Sequence, residues 1–267
     1  VAQSLDEKQS YVESQLQTYT NCIEQIRSNT LNSRWHQRTR ATLRAKWLEG
    51  AWQFGFLDRD NNLINLKDCP AHSLQLGQII RALTLALPKD PALPLAFLVI
   101  NREIVSLVLK CQFHEVATQE SFRNRLEMAL LPLGVKSLFL NFNPGCGQRV
   151  FRHSTAHSFL KICGADTALL ELPRVGALHY GATTFLQQDL GLFDDALWEA
   201  TRFLNPSPSD AVVDLYSGIG CSLKHWSRRG IPSIGVELTG ESVTCSELNL
   251  DSKTKVLRGR TEDRVPQ

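Results

Sequence analysis

The sequence predicts an α/β protein in which a central α+β domain is followed by the first half, βαβαβ, of a doubly wound parallel sheet. Three observations support this prediction. The 267 residues are 43% hydrophobic and 21% charged with a net charge of only +2, which is the composition of a folded protein. Helical and alternating apolar patterns fill the chain to about residue 190. After residue 205, short and almost wholly apolar segments alternate with helical ones, as buried parallel strands do in doubly wound sheets.

The first predicted element is a helix that begins at a capping box, Ser4 to Glu7, and runs to about Arg27. We assign residues 1–33 to this helix and a connector. The N-terminus lacks the apolar core of a secretory signal, and the densest apolar run, Leu93–Ile100, is far shorter than the roughly 18 residues of a membrane span. Seven cysteines form no CxxC pair. We therefore expect a cytoplasmic protein with reduced thiols that binds no membrane and holds no metal or iron–sulfur cluster.

A strongly basic segment opens the central domain, which we place at residues 34–190. Five cations, a Trp and a His stand between residues 34 and 46 without a single acid. On a strand, Arg38, Arg40 and Arg44 would share one side, where cations track a phosphate backbone while rings stack on unpaired bases. A solvated strand edge has the same pattern, and both interpretations stay open. A net charge of +2 restricts any nucleic-acid contact to a local patch. The candidate RNA-binding residues are Arg34, Arg38, Arg40 and Arg44.

Alternating strands and two amphipathic helices make up the rest of the central domain. A DRDNN hairpin signal interrupts the strands between residues 43 and 66, and two apolar strands flank Asn101-Arg102 as a second hairpin. One helix carries an apolar stripe over residues 74–85, and another over residues 122–133 ends at Gly134. A further apolar strand follows it.

Residues 191–267 carry the βαβαβ pattern, after a helix that ends at Leu204. The segments AVVDLY, SGIGCSLKHWSRRG, PSIGVE, TGESVTCSELNL and KVLRGR are predicted as strand, helix, strand, helix and strand. In a half-sheet of this kind the first strand lies at an open edge. An apolar strand at an edge exposes unpaired backbone groups and an apolar face.

The turn after the first of these strands is the main candidate for a ligand site. Gly218 and Gly220 lie between a buried strand and a helix, where glycine lets the backbone approach a ligand and the helix N-terminus offers free N–H groups. Glu237 ends the next strand, 17 residues after Gly220, where a carboxylate can accept hydrogen bonds from both hydroxyls of a ribose. Leu223 replaces the third glycine of the dinucleotide fingerprint, which favours a nucleoside without a pyrophosphate, such as S-adenosylmethionine. A solvated strand end is the alternative for Glu237.

Three motifs, in this order and spacing, resemble the S-adenosylmethionine-dependent RNA (uracil-5-)-methyltransferase family, particularly its 23S ribosomal RNA branch: FLQQDLG, AVVDLYSGIGCSL and GVELTGESVTCSELNL. The resemblance is specific over residues 185–249 and weak upstream. It implies that residues 191–267 are part of a class I Rossmann-like methyltransferase domain, that the cofactor is S-adenosyl-L-methionine and that the partner is rRNA or tRNA. It also implies cofactor contacts for Gln187, Tyr216, Gly218, Gly220, Cys221 and Glu237.

Two positions depart from the family pattern, because Cys221 and Asp189 stand where the family commonly has Asn. The family's nucleophilic Cys, in a Ser-Cys-Asn-type turn, adds to uracil C6, and a base in an Asp-Pro-Pro-like loop removes the C5 proton. Neither motif occurs in this sequence, nor does the family's four-Cys iron–sulfur motif. We therefore expect a chain trimmed at both ends, either a fragment or a degenerate relative whose sheet edge a partner covers.

The function expected from this resemblance is RNA methylation at uracil C5, with a role in rRNA processing. Two alternatives stay open. One is a non-catalytic RNA-binding protein derived from the same family, and the other is a small-molecule methyltransferase, against which the basic segment argues.

Overall fold

The computed structural model describes residues 2–26, 35–147, 149–151 and 158–264. Its N-terminal unit, residues 1–34, contains helix α1 (Ala2–Gln15) and a 3₁₀ turn over Gln17–Cys22. The helix predicted from Ser4 to about Arg27 is therefore wrong in its extent. The α-helix stops before a run of Thr, Tyr and Asn residues of low helix propensity, in which Tyr19 takes non-helical angles of φ −120° and ψ 17°.

The second unit, residues 35–267, is built on a seven-stranded mixed sheet. Its strands are β1 (Arg40–Leu48), β2 (Ala51–Leu57), β3 (Leu63–Asn65), β4 (Leu95–Asn101), β5 (Ile104–Leu109), β6 (Ser137–Phe142) and β7 (Phe159–Gly164). They lie in the order β3-β2-β1-β4-β5-β6-β7. Only β5 and β6 are parallel, and every other neighbouring pair is antiparallel.

Helices α2 (Leu74–Ala86) and α3 (Glu120–Leu130) cover one face of this sheet and enclose its main core. The alternation of β1 shows why: Leu43 is fully buried on the helix side, whereas Arg40 and Arg44 point to the other face. The two predicted helices and both predicted hairpins are confirmed.

A two-stranded hairpin of β8 (Ala168–Leu172) and β9 (Gly176–Tyr180) follows the large sheet. Neither it nor β7 is predicted from the sequence. The strands of the hairpin have only five residues each, and Leu169 is apolar although it faces solvent, so the alternation is hidden.

The C-terminal part is a three-stranded parallel sheet with the order β10-β11-β12, which confirms the βαβαβ prediction. Among the described residues, no helix is long and apolar enough to cross a membrane. The elements are α4 (Leu190–Leu204), β10 (Val212–Leu215), α5 (Cys221–Ser227), β11 (Ser233–Glu237), α6 (Gly240–Asn249), β12 (Lys255–Arg258) and α7 (Thr261–Arg264).

Strand β10 is the edge of this small sheet, because in the described part of the chain it pairs with β11 alone. Val213 and Leu215 on its outer face are 59% and 41% exposed. Ile234, the register partner of Val213, is also exposed on that face. The apolar edge expected from the sequence is thus present in the fold.

A second core connects the large sheet and the β8–β9 hairpin to the β10–α5 turn and helix α6 of the C-terminal part. Ile104 and Phe139 from the large sheet pack with buried residues of the hairpin and with Ile219 and Cys245 of the C-terminal part. This packing fixes the turns that follow β9 and β10 relative to each other. The domain boundaries proposed at residues 33/34 and 190/191 remain predictions.

Candidate functional site

A cavity of about 400 Å³ lies where the turn before α4 meets the turn between β10 and α5. The first turn contributes Phe185 and Gln187, and the second contributes Tyr216 and Gly218. The volume lies within the roughly 300–1,000 Å³ typical of small-molecule sites, which are mostly apolar with a few polar groups. Apolar side chains of β8, α4 and the segment before α4 complete the lining: Leu170, Leu172, Leu186, Leu190, Phe193 and Leu197.

The turn between β10 and α5 brings bare backbone to this cavity. Tyr216 has φ +69° and Gly218 has φ +55°, both in the left-handed region. For a tyrosine this backbone conformation is strained, and such strain concentrates at ligand sites. A Cβ atom placed on Gly218 would meet nothing within 4 Å, so glycine here leaves open space at the cavity wall.

The carboxylate of Glu237, at the end of β11, binds the backbone of the same turn. Its Oε2 accepts a hydrogen bond of 2.9 Å from the Gly218 N–H, and its Oε1 accepts one of 2.7 Å from the Thr239 N–H. The side chain is therefore held in one orientation beside the turn. Glu237 does not itself line the cavity.

Gly220 serves the packing of helices rather than the cavity, which it does not line. It has φ +84° and is the N-cap of α5. A Cβ atom there would lie 3.2 Å from Leu250 and 3.3 Å from Ser246, so glycine allows the start of α5 to approach α6 closely.

Cys221 lines the cavity as a neutral thiol. Burial, together with the nearby charge of Asp214, raises the pKa of Cys221 to about 12. The thiolate is the nucleophilic form of cysteine, so this side chain is unsuited to nucleophilic attack. Asp214 also lines the cavity and accepts a hydrogen bond from the Ser222 hydroxyl. Burial raises the pKa of Asp214.

The turn over residues 181–184, directly before Phe185, is held from α6 by Glu241. The carboxylate of Glu241 accepts hydrogen bonds from the Ala182 N–H at 3.1 Å, from the Thr183 N–H at 2.6 Å and from the Thr183 hydroxyl. Gly181 makes room for it, since a Cβ atom there would lie 2.3 Å from Glu241 Oε1. Three donors converge on one carboxylate.

The large sheet holds the same turn from the other side. The amide Nδ2 of Asn101, at the end of β4, donates to the carbonyls of Gly181 at 2.8 Å and Thr184 at 3.1 Å. Asn101 is 1% exposed, so these are buried hydrogen bonds. The 181–184 turn is thus fixed by helix α6 on one hand and by strand β4 of the large sheet on the other.

Gln187 lies at the cavity with an exposed side chain. Asp189, two residues on, is the N-cap of α4, and its Oδ1 accepts a hydrogen bond of 2.9 Å from the Leu192 N–H. The departure from Asn at position 189 therefore leaves the cap intact, because Asp and Asn cap helices equally well.

The basic segment lies on the sheet face that the helices leave uncovered. The Arg40 guanidinium lies 5.3 Å from the centre of the Phe185 ring, and that of Arg44 lies 4.2 Å from the centre of the Phe97 ring. Burial lowers the pKa of Arg40. Arg38 is exposed and precedes β1, where it forms an isolated bridge with His72. Arg34 lies outside the described residues.

Several residues of the site carry no sequence signal of their own. Glu241 and Asn101 act on a turn that is remote from both in sequence. The Asn249 side chain accepts from the His179 N–H at 2.6 Å and donates to the Ile219 carbonyl at 2.9 Å, so it ties α6 to β9 and to the glycine turn. Phe185 lies in the FLQQDLG motif, and Glu241 and Asn249 lie in the GVELTGESVTCSELNL motif, but neither motif reveals the contacts that these side chains make.

No family model matches the chain, and no curated protein matches it. Among solved structures, it is similar to the Pyrococcus abyssi tRNA (uracil-54, C5)-methyltransferase in complex with S-adenosyl-L-homocysteine, with a TM-score of 0.68 and 14% identity. The match covers 95% of this chain and 62% of that one. A much weaker match is the M. jannaschii tRNA m1G37 methyltransferase, with a TM-score of 0.37, 11% identity and coverage of 84% and 67%.

The chain therefore spans less than two thirds of the length of the first of these structures. At this identity the likeness establishes the fold. The predicted α/β class, with a central mixed sheet and a Rossmann-like parallel sheet, is confirmed.

Proposed function

We propose that this chain acts in S-adenosylmethionine-dependent methylation of RNA at uracil C5, by binding the cofactor and the RNA. The observation that carries the proposal is the cavity of about 400 Å³ between the Phe185–Gln187 segment and the glycine turn. It adjoins a basic strand through the contact of Arg40 with Phe185. The sequence resemblance and the fold of the P. abyssi tRNA methyltransferase support the same reading.

The residues present fit S-adenosyl-L-methionine. The cofactor supplies a methyl group on a sulfonium centre when it is bound. Glu237 does not line the cavity, so it would contact the ribose hydroxyls at the cavity edge, where each carboxylate oxygen keeps a lone pair beside its bond to Gly218 or Thr239. The backbone at Tyr216 and Gly218 would face the methionine part, and Gln187 would donate its amide hydrogens. The neutral Cys221 thiol adds apolar surface rather than charge.

The uncovered face of β1 fits the RNA backbone. Arg40 and Arg44 lie on one side of the strand, and each covers an aromatic ring. Guanidinium groups bind phosphates bidentately, and the exposed Phe185 ring beside Arg40 could stack on an unpaired base, whereas the Phe97 ring is buried. An rRNA or tRNA substrate is consistent with this small patch, because the net charge of the chain is only +2.

A second candidate function is RNA binding without methyl transfer. Cys221 favours this second candidate. A thiol with a pKa of about 12 is not a nucleophile, and it cannot replace the Asn amide that is common at this position in the family that the chain resembles. This candidate predicts an intact basic surface with no cofactor affinity.

Calorimetry with S-adenosyl-L-methionine tests the cofactor part. Gly218→Ala should weaken binding on the order of tenfold, because the new methyl group occupies the space at the cavity wall. Gly50→Ala is the matched control: Gly50 also has positive φ and open space around it, but it lies in the β1–β2 turn. Equal effects of the two variants, or no binding heat for the native protein, would contradict the proposed cofactor site.

RNA binding of the same proteins separates the two functions. Arg40→Ala with Arg44→Ala should weaken binding of an oligouridylate and lower its dependence on salt by about 0.7 per lost phosphate contact. Arg81→Ala is the control, because Arg81 lies on α2, on the other side of the sheet, and pairs with Asp68. Retained RNA binding without cofactor heat would support the second candidate.

A further inference from the structure

A second cleft, of about 690 Å³, is lined in part by the 181–184 turn that precedes the proposed cofactor cavity. The loop after β6, the start of α6 and the last residue of β12 form its walls. Thr183 lines this cleft, whereas Phe185, two residues later, lines the first cavity. The two sites therefore share one turn. The cleft is lined by Arg149, Val150, Phe151, Thr183, Leu238, Thr239, Gly240, Glu241 and Arg258.

The charges of this cleft favour an anion. Arg149 and Arg258 are both exposed, and among the described residues neither guanidinium forms an ion pair. Glu241 is the one carboxylate among the lining residues, and it is already taken up by donors from Ala182 and Thr183. Within the part of the chain that the structure describes, these two guanidinium groups thus line the cleft without an unengaged acid among the lining residues.

The position of Arg258 is set by the absence of a side chain on Gly240. A Cβ atom on Gly240 would lie 2.9 Å from the Nη2 atom of Arg258. Glycine therefore lets the guanidinium lie against the start of α6 at the cleft wall. The Leu238 side chain, 60% exposed, provides an apolar surface in the same cleft.

We propose that this cleft binds nucleotides of the RNA that lie next to the methylated one, with Arg149 and Arg258 on their phosphates and Leu238 against a sugar or base. Guanidinium groups prefer phosphates because they bind them bidentately, and exposed apolar side chains beside them suit a ribose or base face. The inference rests on the proposed function, since it assigns a second contact to the same RNA. It is independent of the β1 surface, whose arginines lie on another element.

The test measures RNA affinity against salt concentration for the full chain. The double variant Arg149→Ala with Arg258→Ala should lower the slope of log K against log salt by about 1.4, which is about 0.7 for each lost phosphate contact. The matched Lys substitutions at both positions should restore most of that slope, and Arg81→Ala should leave it unchanged. Urea midpoints of all variants show whether each one is folded.

Two further ligands separate the sources of the effect. Uridine monophosphate should bind only weakly and with little difference between native and variant proteins, because a single phosphate spans one contact. Affinity for S-adenosyl-L-methionine should be the same in native and double-variant proteins. If the double variant keeps the native RNA slope, or if it loses cofactor affinity instead, the cleft is not an RNA site. The proposed function fails on a different result: the native protein binds no S-adenosyl-L-methionine or no RNA.

Discussion

Replacing Glu241 tests how the cavity proposed to bind the cofactor is held together. Its carboxylate accepts three hydrogen bonds from the 181–184 turn, which leads directly into Phe185 and Gln187. Hydrogen bonds to a charged group contribute about 1.5–3 kcal/mol each, but water can reach donors in a half-buried cleft. We therefore expect Glu241→Ala to lower the free energy of unfolding by about 2–4 kcal/mol. Because the turn positions Gln187, cofactor affinity should fall as well.

Gly181 supplies an independent way to move the same carboxylate. A methyl group on Gly181 would collide with Glu241 Oε1 at 2.3 Å, so Gly181→Ala should displace the carboxylate from its donors without removing it. In the Glu241→Ala background the colliding carboxylate is absent, so Gly181→Ala should then lower the free energy of unfolding by less than about 0.5 kcal/mol. This double-mutant cycle separates the contact from any intrinsic effect of alanine at position 181.

The assay is urea unfolding of the full chain, with cofactor calorimetry on the same samples. Glu247→Ala is the matched control, because Glu247 is exposed on the same helix and the substitution removes a carboxylate of the same kind. It should change the free energy of unfolding by no more than about 0.5 kcal/mol. If Gly181→Ala lowers the free energy of unfolding equally in the native protein and in the Glu241→Ala variant, the Glu241 carboxylate does not hold the turn.

Three other outcomes follow from the structure. Cys221 and Cys69 are both partly exposed, but the pKa of Cys221 is raised to about 12, so iodoacetamide at about pH 8 should label Cys221 far more slowly than Cys69 in peptide mass mapping; equal labelling of the two would contradict the raised pKa. His225 is buried and hydrogen-bonded to Thr201 Oγ1 at 2.8 Å, and burial lowers its pKa. The free energy of unfolding should therefore fall as the pH drops below about 6.5, the pKa of a histidine in the unfolded chain. His225→Gln should flatten that dependence in urea titrations. Val213→Lys should change the free energy of unfolding by no more than about 0.5 kcal/mol in urea titrations, since Val213 is 59% exposed on an edge strand; a larger loss would show that its side chain is packed.

The elements that could be predicted are those with a strong local pattern. The hairpin at Asn101-Arg102 and the βαβαβ order after residue 205 appear in the structure as expected. Turn residues and apolar periodicity act over a few positions, so the local sequence contains the information. The first helix is shorter than predicted: its apolar spacing continues to Ile26, but the α-helix ends at Gln15, and Gln17–Cys22 form a 3₁₀ helix in which Tyr19 takes non-helical angles.

The residues of the candidate site were likewise predictable only where a local motif contains them. The glycine turn, Gln187 and Glu237 were identified from motifs, and the structure brings Gln187 and the turn to one cavity while Glu237 holds the turn from behind. Gly220 turned out to lie at a contact between two helices, which its position in the motif does not reveal.

The βαβαβ order after residue 205, the glycine turn and the basic strand follow from the sequence alone, because each depends on neighbouring residues. The fold decides how the site is held: Glu241 of helix α6 and Asn101 of strand β4 both bind one turn, and Arg40 contacts Phe185 across 145 positions of the chain. Such contacts follow from how the elements pack, and a turn stabilised from both sides by remote side chains has no local pattern that announces it.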